Sequence, residues 1–419
     1  MHLPYDVVLF DLDGTLTRSH PGITACAKHA MEELGRDVTG LDLKIFVGPP
    51  LYETFRLLGL SEAEAREGIR IFRSRYETEG WADANVFPGI PSMLRSLRAH
   101  GAFLGVVTAK PTVQAERVLK EFGLYKYFDR VVSTSEHDDH CDKAQLIGRA
   151  LPDAYRRAAM VGDRRFDMEG AVGAGVDGIG VLYGYGSREE LTESGAAQMV
   201  ESVEELTDML LPGFSPAEGI FLTLEGPDGC GKTTQANLLA DWLEKRGHRV
   251  VRTREPGGSP VAERIRALVL DVKQQGMRDL TEALLFAASR AQHVRDVIRP
   301  ALSRGDVVVC DRFVDSSIVY QGAGRGLGES LVASLNEAAV DGLVPDATIL
   351  MLLDPITAIA RRRAANAPDR MEGDDDLARR VYEAYLALAA REPERVRTVD
   401  ASGDVEQISS KIRLIARDL

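Results

Sequence analysis

Cysteine is scarce in this chain of 419 residues. Its four copies, Cys26, Cys141, Cys230 and Cys310, stand far apart with no CxxC pair. That excludes a disulfide framework and a thiolate zinc site, and makes a reducing cytoplasm the expected compartment. Basic charge is also short: 51 Lys and Arg against 64 Asp and Glu leave a net charge of −13. A broad surface for nucleic acid or anionic membrane is therefore not expected, although local arginines can still bind small anions. No apolar run reaches membrane-spanning length, and Met1-His-Leu-Pro-Tyr-Asp6 lacks a basic segment followed by an apolar core. Neither a span nor a secretion signal is expected from these features. Internal repeats and low-complexity tracts are missing too. What remains is the ordinary balance of a soluble globular protein, long enough for two or three domains.

The most informative stretch is Gly226-Pro227-Asp228-Gly229-Cys230-Gly231-Lys232-Thr233-Thr234. It follows the apolar run 220–225, which reads as a buried strand, and precedes residues 235–244, whose apolar spacing reads as a helix. Strand, glycine-rich turn, Gly-Lys-Thr and helix together make a phosphate loop. Its glycines let backbone N–H groups curl around phosphate oxygens, and the helix N-terminus adds partial positive charge. Residues 226–233 are the expected ATP cradle. Lys232 is expected to reach the β- and γ-phosphates, and Thr233 to offer its hydroxyl to Mg²⁺.

The first half has its own pattern. The apolar strand at 5–10 runs into Asp11-Leu-Asp13-Gly14-Thr15. Two aspartates spaced i, i+2 past a strand end can approach one phosphate and one Mg²⁺, since hard oxygen ligands suit that ion. One carboxylate can attack phosphorus while the other manages the leaving-group proton. Further polar groups follow the same logic: Thr108 after the strand at 103–107, Lys143 at a helix start, and Asp163 and Asp167 after the strand at 158–161. Alone, each has a plain structural reading: a cap for Thr108 or Asp167, a solvated helix lysine for Lys143. Together and in this order they stand as a shared catalytic edge requires, and a purely structural reading is not expected.

On these motifs the first half, over about 4–211, resembles the haloacid dehalogenase superfamily, in a phosphoglycolate-phosphatase-like or 5′-nucleotidase-like branch. The branch is suggested by Pro21-Gly-Ile23, Gly48-Pro-Pro-Leu51 and Leu182-Tyr-Gly-Tyr-Gly-Ser187. The resemblance implies a Rossmann-like core with a mostly helical cap at about 16–87. It makes Asp11 the nucleophile, forming an aspartyl-phosphate, and Asp13 the general acid/base. Thr108 and Lys143 would hold phosphoryl oxygens. Mg²⁺ would be bound by Asp11, the backbone carbonyl of Asp13 and Asp163, with Asp167 supporting that shell.

Helix breakers at Pro212-Gly213 and Pro216 end the first half, and the domains are expected at 1–213 and 214–419. Beyond the phosphate loop, Phe286 and Arg290 sit i, i+4 on one helix face, so one can stack on a base while the other donates hydrogen bonds to it. A strand at 306–310 delivers Asp311, a metal-side carboxylate, and Arg312, a fork for a second phosphate. Behind the strand at 347–353 a basic stretch, Arg361-Arg362-Arg363 to Arg370, reads as a mobile lid.

With Thr253-Arg-Glu-Pro-Gly-Gly258, Leu284-Leu-Phe-Ala-Ala-Ser-Arg290 and Asp311-Arg-Phe313 through Tyr320-Gln-Gly322, this half resembles the thymidylate kinases over about 219–419. The resemblance implies a P-loop nucleoside monophosphate kinase fold, with ATP and dTMP as substrates, Mg²⁺ as cofactor and a homodimer through this half. Phe286 would stack on thymine, Arg290 contact a thymine oxygen, Asp228 lie near the sugar 3′-hydroxyl, and Arg312 and Arg254 serve the dTMP phosphate. Ser317 and Tyr320 would line the sugar side. Arg361, Arg363 and Arg370 would be the lid's catalytic arginines, as in the bacterial type. Ser259 and Ala262 depart from the threonine and glycine of many relatives.

The expectation is an α/β protein of two enzymes: a dTMP kinase and a hydrolase of a small phosphomonoester, with no nucleic-acid or membrane partner. Two rivals are a kinase for another nucleoside monophosphate, against which the Phe286/Arg290 pair argues, and a regulatory first half that senses a phosphorylated ligand. Intact catalytic positions in both halves weigh against the second.

Overall fold

A computed structural model describes residues 2–49, 51–134, 142–274, 276–365 and 375–417. The chain divides into two compact units, Met1–Ser215 with Lys245–His248, and Pro216–Glu244 with Arg249–Leu419. Both are α/β with parallel sheets.

The first unit contains strands Val7–Phe10 (β1), Thr17–Arg18 (β2), Asn85–Val86 (β3), Phe103–Pro111 (β4), Arg130–Thr134 (β5), Ala158–Gly162 (β6), Asp177–Val181 (β7) and Gln198–Val200 (β8). A six-stranded sheet runs in the order β5-β4-β1-β6-β7-β8, with every pairing parallel. A parallel sheet covered by helices on both faces needs apolar side chains on both faces, which is why Val7–Phe10 and Ala158–Gly162 are continuous buried runs. β1 is central, and the C-terminal ends of β1, β4 and β6 lie side by side.

β2 and β3 pair antiparallel, Thr17 opposite Val86. The chain leaves the core through β2 and returns through β3. Between them lie helices His20–Glu33, Leu51–Leu57 and Glu62–Thr78, which close around their own core of Cys26, Ala27, Met31, Phe46, Phe55 and Phe72. Ser61 starts the last of these helices: its hydroxyl accepts from Glu64 N, and the Glu64 carboxylate accepts from Ser61 N.

The second unit contains Ile220–Glu225 (β9), Val250–Arg254 (β10), Val307–Asp311 (β11), Ala347–Leu352 (β12) and Val396–Asp400 (β13). They form a parallel sheet in the order β10-β11-β9-β12-β13. β9 again lies inside the sheet, flanked by β11 and β12, so the turn that follows it opens at the sheet's carboxyl edge, where ligands of such sheets collect. The helix after that turn spans Lys232–Lys245, three residues longer at its start than the apolar spacing predicts, because the loop itself winds into the first turn. Among the described residues no helix is long and apolar enough to cross a membrane.

Candidate active sites

In the first unit, β1 delivers Asp11 and Asp13, β4 delivers Thr108 and Lys110, and β6 delivers Asp163, all to one sheet edge. Lys143 begins the helix Lys143–Ala150, whose N-cap Asp142 accepts hydrogen bonds from the N–H groups of Ala144 and Gln145. Asp167 lies in the first turn of Arg165–Ala174. Lys143 Nζ is 2.7 Å from both Asp11 Oδ1 and Asp167 Oδ1. Asp163 accepts from Thr15 Oγ1 at 3.2 Å and from Tyr185 N at 2.8 Å. Gly14 has φ +95, and a Cβ there would sit 2.2 Å from Asp163 Oδ2, so only glycine lets the loop pass this carboxylate.

Carboxylate oxygens of Asp11, Asp163 and Asp167 lie within 4.8 Å of one another, all three buried. Burial, with Asp167 and Asp11 beside it, pushes Asp163 well above the usual carboxylate range. Burial likewise raises Asp11 to about 7, against the pull of Lys143 and with help from Asp167 and Asp13. Four carboxylates, Asp13 included, face the two lysines Lys110 and Lys143. This deficit of positive charge among hard oxygen donors fits one divalent cation of the Mg²⁺ type. Asp13 Oδ1 is buried with no hydrogen-bond partner among the described residues, while Oδ2 accepts from Lys110 Nζ at 2.8 Å.

Lys110 was not assigned a role by sequence reasoning. Its ammonium also donates to Tyr76 OH at 2.7 Å and so joins Asp13 to the helical insertion. Burial opposes its charge, but Asp13 and Tyr76 outweigh burial and hold it firmly protonated. The available signal was a lysine two residues past Thr108 at the same strand end. Thr108 lines the same cleft, and its Oγ1 accepts from Lys110 N at 3.2 Å. The cleft measures about 430 Å³ and lies between the catalytic edge and the insertion.

In the second unit the turn after β9 wraps Lys232, whose Nζ donates to Gly226 O at 3.1 Å and Pro227 O at 2.9 Å. Phosphate oxygens are stronger acceptors than these carbonyls and compete for the same ammonium. Gly226 has φ +141 and a Cβ would meet Met351 O at 2.3 Å, so the first loop position requires glycine. Thr233 Oγ1 donates to Asp311 Oδ2 at 2.6 Å, which brings the expected Mg²⁺ hydroxyl and carboxylate together. Asp228, Gly229, Gly231, Lys232 and Thr233 line a cleft of about 610 Å³ that also contains Arg254, Phe286, Asp311, Arg312, Ser317, Tyr320 and Arg361. Gly226, Pro227 and Cys230 form the turn behind that surface instead.

Arg312 adopts a left-handed backbone with φ 73, a strained conformation for a non-glycine residue. Its guanidinium donates to Asp228, to Ser316 Oγ at 2.8 Å and to Tyr320 OH at 3.3 Å. Burial opposes ionisation of Asp228, but Arg312 and Lys232 outweigh it and lower that carboxyl to about 2. Behind Arg312 stands Glu225, the last residue of β9. It accepts from Phe313 N at 2.7 Å, Ser316 Oγ at 2.5 Å and Tyr385 OH at 2.9 Å. Burial and then Asp315 raise Glu225 to about 7, against Arg312. Sequence reasoning passed over Glu225 and Tyr385. An acid closing an otherwise apolar buried strand was the signal for the first; nothing local marked the second.

Arg290 needs correction. It is not an open fork for a base: its side chain is 2% exposed. Nε donates to Glu255 Oε2 at 2.6 Å, Nη1 to Ser317 Oγ at 3.1 Å and to Asn336 Oδ1, and Nη2 to Phe313 O at 2.9 Å. Of its five N–H groups one is left over. His293 Nδ1 completes the network 2.9 Å from Glu255 Oε1. Arg254 is half exposed and paired with Glu263 at 3.0 Å. Of the arginines expected to form a lid, Arg361 lines the cleft and donates to the carbonyls of Ala401 and Ser402. Arg363 is exposed outside the lining. Arg370 lies outside the described residues.

Comparison with known proteins agrees with this division of the chain. Residues 224–412 match the family model "Thymidylate kinase" and residues 8–181 match "Haloacid dehalogenase-like hydrolase". The thymidylate kinase of Gloeobacter violaceus is 49% identical over 197 residues, 46% of this chain and 92% of that protein. That of Leifsonia xyli subsp. xyli is 52% identical over 197 residues, 46% of this chain and 93% of its own length. Among solved structures, a "predicted phosphatase from Clostridium acetobutylicum" is 38% identical, with a TM-score of 0.47, over 49% of this chain and 98% of that one. The second half of this chain belongs to the thymidylate kinase family, and it is preceded by a haloacid dehalogenase-like hydrolase domain.

Proposed function

We propose that the kinase half transfers the γ-phosphoryl group of ATP to dTMP, and that the phosphatase half hydrolyses a phosphomonoester through a phosphorylated Asp11. In the kinase half, loop N–H groups and Lys232 hold the ATP phosphates. Arg312, fixed by Asp228 and Ser316, and Arg254 face the dTMP phosphate. Phe286 stacks on the base. Arg290 offers the base its single remaining N–H, while Ser317 and Tyr320 border the sugar. Thr233 and Asp311 would hold Mg²⁺, which supplies charge neutralisation between the phosphates. Arg361, with Arg363 and Arg370 as the other lid candidates, neutralises the transferred group. Positioning and charge carry the catalysis, since phosphoryl transfer asks little covalent chemistry of the protein. The observation that carries this reading is the single cleft joining the phosphate loop to Arg312, Phe286 and Tyr320.

In the phosphatase half, Asp11 attacks phosphorus and the bond to the ester oxygen breaks. Asp13 gives that oxygen its proton, then takes one from the water that cleaves the Asp11 acyl-phosphate. Thr108 and Lys143 hold the phosphoryl oxygens. Asp11, the Asp13 carbonyl, Asp163 and Asp167 would hold the Mg²⁺, which screens charge between phosphate and nucleophile. The buried, scattered thiols Cys26, Cys230 and Cys310 support a cytoplasmic location. A homodimer through the kinase half belongs to the same reading.

The test uses the full chain and two variants. Lys232→Ala should lower dTMP phosphorylation at least about a hundredfold and spare phosphate release. Asp11→Asn should abolish phosphate release and spare the kinase. Near-normal dTDP formation by Lys232→Ala would overturn the kinase assignment, and continued hydrolysis by Asp11→Asn the nucleophile.

A further inference from the structure

The cleft of the phosphatase half has two unlike sides. One is the catalytic edge. The other is apolar: Phe46, Leu51, Tyr52, Ile69 and Phe72 from the helical insertion, with Phe166 from the core. Phe46 and Phe72 are buried in the insertion's own core, but Leu51, Tyr52, Ile69 and Phe166 keep open surface. Apolar surface lining a catalytic cleft is unfavourable to leave in water and is covered when substrate enters.

Among the described residues, the charges in the cleft do not point to a second anionic group on the substrate. Lys143 is engaged by Asp11 and Asp167, Lys110 by Asp13 and Tyr76, and Arg164 by Glu190 and Val47 O. Arg73, the insertion's one cation in the lining, already has a partner, and the acid Glu53 shares that lining. Gln114 lines the cleft, and its carboxamide has no hydrogen-bond partner among the described residues. A carboxamide offers both donor and acceptor, the complement of a heterocycle's edge. The volume of about 430 Å³ exceeds what a two-carbon phosphoester fills and lies within the range of sites for drug-sized ligands.

We propose that this cleft selects phosphomonoesters bearing a nucleobase, the base lying on the Leu51, Tyr52, Ile69 and Phe166 wall with Gln114 at its edge. The proposal rests on the phosphatase reading of the Asp11 site and adds the class of its substrate. The ester is then a nucleoside monophosphate, and small phosphorylated acids are poor substrates.

The experiment measures phosphate release by the full chain with Mg²⁺ and without ATP, so that the kinase is silent. Substrates are a panel of ribo- and deoxyribonucleoside monophosphates, phosphoglycolate and glycerol phosphate. The best nucleotide should exceed phosphoglycolate and glycerol phosphate in kcat/KM by at least about tenfold, the worth of one base–aromatic stack. Tyr52→Ala should bring that ratio down by a similar factor, chiefly through a higher KM for the nucleotide. Phe166→Ala, on the core side, is the second variant should Tyr52→Ala fail to fold. Equal or better turnover of phosphoglycolate or glycerol phosphate, abolished by Asp11→Asn, overturns the base site alone and leaves the phosphatase standing. An unchanged ratio in both folded variants also overturns it. No release from any ester, with no phosphate trapped on Asp11, overturns the phosphatase reading and this inference with it.

Discussion

Lys110 shows how much one side chain can decide. Its ammonium is bonded to Asp13 and Tyr76, not to Asp11, the proposed nucleophile. It holds one oxygen of Asp13, while the other, Oδ1, is buried with no hydrogen-bond partner among the described residues. An acid/base group needs its proton aimed at the leaving oxygen, so loss of the anchor should appear in turnover. Lys110→Met should lower kcat of the phosphatase about a hundredfold with little change in KM, and Lys110→Arg should recover part of it. Steady-state kinetics on the best substrate reads this; an unchanged kcat in Lys110→Met would remove Lys110 from the mechanism. Asp11 carries a second prediction. Its folded-state pKa of about 7 lies above its ordinary 3.8. The folded protein therefore holds a proton that the unfolded chain releases, and this stabilisation is present below pH 4 and lost as pH rises through 7. In EDTA, Asp11→Asn should melt about 4 °C or more above wild type at pH 8, and the gap should close toward pH 5. A gap that widens toward pH 5 contradicts the sign.

At the scale of elements, the helix Asp279–His293 serves the kinase cleft in two ways. Phe286 meets the cleft, whereas Arg290 and His293 point into a buried network with Glu255. Their substitutions should differ accordingly. Phe286→Ala should raise KM for dTMP about tenfold, through lost stacking, and weaken the preference for thymine over purines while leaving the fold intact. Arg290→Met should destabilise the kinase half by about 3–5 kcal/mol, because Glu255 keeps a buried charge with its main partner gone. Denaturant titration separates the two. If Arg290→Met unfolds like wild type and changes only base preference, the buried network is not structural. The strand elements differ in the same way. Central β1, β6, β9 and β11 are mostly apolar, largely buried runs and are legible as strands. The edge strands β5, β8 and β13 mix exposed and buried positions, and β7 carries two glycines; such segments earn strand structure from a neighbour rather than from their own pattern.

For the whole molecule, two active sites on two separate sheets share one chain. Were dTMP the phosphatase's preferred substrate, that half would drain the acceptor of the other. We therefore expect the phosphatase to favour a different nucleoside monophosphate. With dTMP, ATP and Mg²⁺, wild type and Asp11→Asn should give dTDP at the same initial rate and to the same yield, followed by chromatography of all nucleotides. A clearly higher yield in Asp11→Asn would instead make the chain an opposed kinase and phosphatase acting on one nucleotide. Chelation of Mg²⁺ should stop both activities, since each site brings hard oxygen donors together.

The sequence by itself determined the two α/β halves, the phosphate loop and the order of the candidate site residues at strand ends. These features are local: a buried parallel strand is an apolar run, and a phosphate turn needs glycine at stated spacings. Only the tertiary structure decided which of those groups are at liberty to act. Lys143 bridges two carboxylates, Arg290 is nearly used up by Glu255, Ser317, Asn336 and Phe313, and Lys110 reaches Asp13 and Tyr76 across long stretches of chain. Hydrogen-bond capacity and burial depend on neighbours distant in sequence, so a residue's type announces what it can donate, and its surroundings fix what remains for a ligand. The apolar wall of the phosphatase cleft arises the same way, because Leu51, Tyr52, Ile69 and Phe166 face one space only after the insertion closes over the sheet edge.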